Sequence, residues 1–106
     1  MNTKDHLLLI LAEECAEVAQ RITKALRFGL DEIQPEQELT NEQRLGVELC
    51  DVIATMEMLQ SLGVLTAYPD RALVEAKKLK VAKYMNYSST LGLLSDGPDL
   101  NERRMG

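Results

Sequence analysis

The sequence has no tryptophan and one phenylalanine, and aromatic residues make up only 4% of it. Its core therefore has to be aliphatic, built from Leu, Ile, Val, Ala and Met. One histidine (His6, near a fraying terminus) and two cysteines (Cys15 and Cys50) are too few for a zinc centre. Both cysteines stand among apolar residues and read as small buried hydrophobes in a reducing compartment. No long apolar run is present. Residues 7–12 are interrupted at once by Glu13 and Glu14, and the start before them is polar and carries an acid. That is too short for a membrane span and the wrong shape for a signal peptide, so a cytoplasmic protein is expected, with no membrane contact. Positive charge is scarce as well: 12 Lys and Arg against 17 Asp and Glu leave a net charge of -5. A duplex nucleic acid needs a basic face, so nucleic acid is not an expected partner.

Strict apolar–polar alternation is also missing, and with it any sign of a strand. What is there is helical periodicity. A chain of 106 residues fits one small domain. A helical core this small is often completed by oligomerising. The first segment spans about Thr3 to Phe28, with Leu8, Leu11, Cys15, Val18, Ile22 and Ala25 on one stripe. Arg27 and then Gly29 make a good stop. A connector over residues 30–39 carries Pro35 and several acids. Thr40 or Asn41 then caps a second helix, and Thr40 with Gln43 fits a capping box. This helix runs to about Leu62 and ends at Gly63. Leu45, Leu49, Val52, Met56 and Leu59 form one side, and Val47, Ala54 and Met58 lie on the other. A helix apolar on both sides is expected to be covered on both, the second side by another subunit. Pro69 is expected to open a third helix as its first residue, ending near Tyr87 with a basic second half. Residues 1–88 read as the helical domain and 89–106 as a loosely ordered C-terminal extension.

Two acidic clusters carry chemistry: Glu13-Glu14-Cys15-Ala16-Glu17 and Glu48-Leu49-Cys50-Asp51. Glu14 and Glu17 are three apart and share a helix face, as do Glu48 and Asp51. Both pairs border apolar stripes. Like charges in a half-buried setting carry a desolvation cost comparable to the stability of a small domain. A divalent cation offsets it directly. Two antiparallel helices, each offering two carboxylates one turn apart, place four hard oxygen ligands around one point. That donor set favours Mg²⁺, with Mn²⁺ as a substitute. Glu13, about 100° round the helix from Glu14, is a candidate to orient or deprotonate a water. Arg21 and Lys24 follow one and two turns after Glu17, and Lys77, Lys80 and Lys83 form a second basic row; both are candidate phosphate ligands. The bland alternative is a set of surface acids paired with Arg21, Arg44 or the lysines.

The Glu13-Glu14-x-x-Glu17 and Glu48-x-x-Asp51 pair resembles the EExxE…ExxD signature of the all-α nucleoside triphosphate pyrophosphohydrolases, the MazG-like superfamily, over roughly residues 8–84. The resemblance implies an antiparallel helical bundle of the MazG-like type, completed by oligomerisation to a homodimer or homotetramer with sites near the subunit interface. It implies hydrolysis of a nucleoside triphosphate between the α- and β-phosphates. It also implies Mg²⁺ held by Glu14, Glu17, Glu48 and Asp51; Glu13, as the candidate base, and Glu14 are then the expected catalytic residues. The stretch between Glu17 and Glu48 is long for the motif. With no Trp, base stacking falls to Phe28 or Tyr84, with Tyr68 and Tyr87 as further choices. The alternatives are a relative specific for dUTP or phosphoribosyl-ATP, and a non-catalytic dimeric helical interaction module on the same fold.

Overall fold

The computed structural model describes residues 1–96, and within them the chain is all-helical, without strands. Helix α1 spans Thr3–Phe28, α2 Asn41–Ser61 and α3 Arg71–Thr90. None is long and apolar enough to cross a membrane.

Local chemistry sets the ends. The Asn2 side chain accepts from the Asp5 backbone N–H at 2.8 Å to start α1. Gly29, with φ 99°, stops it and returns its N–H to the Ala25 carbonyl. That positive φ is open to glycine at no steric cost. The expected capping box opens α2: the Thr40 hydroxyl accepts from the Gln43 N–H at 3.1 Å, and the Gln43 side chain accepts from the Thr40 N–H at 3.0 Å. Asp70 caps α3, its carboxylate accepting from the Leu73 N–H. Pro69 therefore precedes the cap and is not the first helical residue. The reason is that Asp70 supplies the acceptor a helix start needs, whereas Pro69 has only a suitable φ to offer. Helix α3 also runs on past Tyr87 to Thr90. Of the C-terminal extension, residues 97–106 lie outside the described residues.

The chain divides into two compact units, one from Met1 to Tyr68 and one from Pro69 onward. The first is the α1–α2 hairpin. Asn41, at the start of α2, donates to the carbonyl of Gly29, just past the end of α1. Glu48, further along α2, reaches back to Glu17 and Glu14 in α1. The two helices are therefore antiparallel.

The inner layer of this hairpin differs from the expected stripe. Half of that stripe, Leu11, Val18 and Ala25, does face inward, together with Leu7, Glu14 and Arg21. The other half, Leu8, Cys15 and Ile22, is exposed in the chain. The inward face is rotated by roughly 50° from the apolar stripe. Helix α1 carries two overlapping stripes at three-and-four spacing, and α2 takes the one that contains the acids. Cys50 is exposed too, so both cysteines depart from the buried reading. On α2 the inner face is Asn41, Leu45, Glu48, Val52, Thr55 and Leu59. Among the described residues the buried hydrophobics are only Leu7, Ala25, Leu59 and, in the second unit, Ala82. Large apolar residues stand on the outer faces instead, with Leu26 82% and Met58 55% exposed.

Candidate metal and phosphate site

The connector fixes how α2 meets α1. Asn41 is fully buried, at 0% exposure. Its side-chain amide donates to the Gly29 carbonyl at 2.8 Å and to Glu32 Oε1 at 3.1 Å. Its backbone N–H donates to the Glu32 carbonyl, and that of Glu42 to the Leu30 carbonyl. The far end of the connector turns at Glu36, with φ 69°, and is tied by the Gln37 N–H to the Gln34 carbonyl. These bonds lock the first turns of α2 against the end of α1.

In that register Glu14, Glu17 and Glu48 each offer one carboxylate oxygen, all within 4.8 Å of one another. Glu14 and Glu48 are half-buried and Glu17 is exposed. Asp51 is exposed and stands outside this trio, but its charge acts on both Glu14 and Glu48. Burial raises the Glu14 carboxyl above its ordinary range, and the charges of Glu17, Asp51, Glu48 and Glu13 add to the rise in that order. Burial also raises Glu48, helped by the charge of Glu17, a carboxyl–carboxyl hydrogen bond with Glu17 and the charge of Asp51; Arg21 opposes the rise. Oε2 of Glu14 and Oε2 of Glu48 are buried without a hydrogen-bond partner. In the same inner layer, Nε and Nη1 of Arg21 are buried donors without a partner. A buried polar group left unpaired is costly, so these four atoms leave the layer open to a ligand that would partner them.

The remaining expected residues divide by unit. Glu13 is exposed and Lys24 half-buried on α1. Phe28 is exposed at the end of α1, with the Arg27 guanidinium 5.0 Å from its ring centroid. Lys77, Lys80 and Tyr84 belong to the second unit. There they line a recess of about 370 Å³ with the apolar side chains of Val81, Met85 and Leu94. Lys83 does not line it; its Nζ lies 5.6 Å from the Tyr84 ring centroid. Lys78 and Arg71 instead pair with Glu75, at 3.3 and 2.7 Å.

Sequence reasoning passed over a second recess, of about 200 Å³, within the first unit. Gln37, Leu39, Arg44, Val47 and Glu48 line it. The signal for it was the four-residue step from Arg44 to Glu48, which puts both on one helix face.

No protein-family model matches the chain, and neither curated proteins nor solved structures show a significant similarity to it.

Proposed function

We propose that the chain is a Mg²⁺-dependent nucleoside triphosphate pyrophosphohydrolase of the MazG-like type, which hydrolyses a (d)NTP to the monophosphate and pyrophosphate. The observation that carries this reading is the inner layer of the hairpin. Two buried carboxylate oxygens and two buried guanidinium donors there lack partners, and a divalent cation with a bound phosphate satisfies both. The donor set fits Mg²⁺. Oxygens about 2.1 Å from the ion would be about 3 Å apart when adjacent and about 4.2 Å when opposite. The 4.8 Å spread of the trio is within a small side-chain adjustment of that.

Glu14, Glu17 and Glu48 would hold the ion, with Asp51 closing in from the edge. When bound, it neutralises phosphate charge and makes a water more acidic. Arg21 takes a phosphate oxygen through the two donors that now lack one, and Lys24 adds charge beside it. Glu13 orients the attacking water and takes its proton. The water oxygen bonds to the α-phosphorus, and the bond from that phosphorus to the bridging oxygen breaks. The electron pair leaves with pyrophosphate. By resemblance, Phe28 at the end of α1 stacks on the base. The apolar outer faces of α1 and α2 support a homodimer or homotetramer, because contiguous exposed apolar surface marks a contact site.

The same outer faces favour a second reading, a non-catalytic dimeric interaction module. One experiment separates the two. Pyrophosphate and monophosphate release is measured from a panel of NTPs and dNTPs, with Mg²⁺ or EDTA, for the native chain and Glu48→Gln. Release that disappears in EDTA and in the variant supports the hydrolase. No release from any nucleotide by the folded native chain leaves the interaction module.

A further inference from the structure

We infer that the recess beside Glu48 is the subsite for the pyrophosphoryl end of the substrate, with Arg44 as its anion-binding fork. The inference deepens the hydrolase reading and rests on it for the identity of the anion. Arg44 stands one turn before Glu48 on the same face of α2 and is half-buried. Its Nη1 donates to Gln34 Oε1 at 2.8 Å. Its orienting partner is thus a neutral amide, and among the described residues it forms no ion pair. A guanidinium steadied by a carboxylate has its charge largely cancelled. One steadied by an amide keeps its full charge, and its other donors remain for a bidentate grip on phosphate.

The recess is also placed and sized for this role. Glu48 belongs both to the carboxylate trio and to the recess wall, so an anion seated there adjoins a cation held by the trio. The opposite wall, Gln37 and Leu39, comes from the connector, whose path is set by the Asn41 clasp and the turn at Glu36. At about 200 Å³ the recess is below the roughly 300 to 1,000 Å³ typical of whole-ligand pockets. It suits a compact diphosphate, with the nucleoside outside it. The cation held by the trio is the charge that draws the anion in, so the two enter together.

The test is calorimetric titration of inorganic pyrophosphate into the full chain, with and without Mg²⁺. The native chain is expected to bind it only with Mg²⁺. Arg44→Gln is expected to bind roughly ten- to a hundredfold more weakly, as loss of a charged hydrogen-bonding partner dictates. Arg44→Lys restores only part of the loss, since an ammonium lacks the fork. Melting curves without ligand establish that each variant is folded. If Arg44→Gln does not fold, Arg44→Lys carries the test, and native affinity in it overturns the role of the fork. Unchanged binding in Arg44→Gln, or no binding by the native chain, overturns the subsite. Nucleotide hydrolysis with Arg44-independent pyrophosphate binding would leave the hydrolase and remove the subsite. Arg44-dependent binding without any hydrolysis would do the reverse.

Discussion

Replacing Glu48 by Gln should invert the stability order of two proteins according to whether Mg²⁺ is present. In the metal-free chain the Glu48 carboxyl is raised, by burial first and then by the charge of Glu17, so its ionised form opposes folding at neutral pH. Glutamine has nearly the same shape and no charge, and Glu48→Gln is expected to melt above the native chain in EDTA. With Mg²⁺ at a hundred times its dissociation constant, mass action adds about 2.7 kcal/mol to the native chain. For a domain of this size that corresponds to roughly 10 to 20 °C in melting temperature. The variant has lost one of the three converging carboxylates and gains little. The assay is thermal unfolding of both proteins in EDTA and across a Mg²⁺ series, at fixed protein concentration. The same melting order in both conditions, with parallel responses to Mg²⁺, would refute the cation site.

Further outcomes follow from the same geometry. Glu14 and Glu48 both have raised carboxyls. Below the ordinary carboxyl range they are protonated in folded and unfolded chains alike. Above their raised values both are ionised, and the folded chain carries the whole penalty. Urea midpoints of the metal-free chain should therefore climb as pH falls from neutral toward the ordinary range, and the Glu14→Gln/Glu48→Gln double variant should lose that climb. Asn41→Ala removes two hydrogen bonds, to the Gly29 carbonyl and to the Glu32 carboxylate, a loss of about 1 to 3 kcal/mol by urea unfolding. Thr40→Ala removes half of the capping box and should cost about 1 kcal/mol in the same assay. Ile53, 48% exposed on the outside of α2, sits where the proposed subunit contact lies. Ile53→Asp should shift sedimentation to the monomer, and an unchanged oligomer would move the contact elsewhere.

Features decided within one turn of chain could be read in advance. The Thr40–Gln43 box and the stop at Gly29 were legible because every group involved is three or four residues from its partner. The shared face of Glu14 and Glu17 was legible for a similar reason, a three-residue step on one helix; that Glu48 comes within reach of them depends on how α2 meets α1, which no such step sets. Which face of α1 turns to α2 was not. Leu8, Cys15 and Ile22 have the spacing of a core, and periodicity alone cannot rank them against Leu7, Glu14 and Arg21. The Asn41 clasp depends on a carbonyl twelve positions earlier, a pairing that no local pattern encodes. From the sequence Arg44 reads only as an ion-pair partner for the acids, whereas its partner is the Gln34 amide, ten positions away.

The inner layer of the hairpin gives charge the place that oil holds in most small proteins. Leu7, Ala25 and Leu59 are all the buried hydrophobic residue the first unit has, and they frame the carboxylates rather than replace them. Most of the transfer free energy available to such a chain lies on its outside and is realised only when a second surface covers it. In the proposed oligomer folding would become a second-order event: the native fraction would depend on how much protein is present as well as on temperature and denaturant. Dilution and EDTA would act in concert, one removing the outer cover and the other the inner counter-charge. A preparation dilute enough for a sensitive activity assay would be closest to losing the structure being assayed.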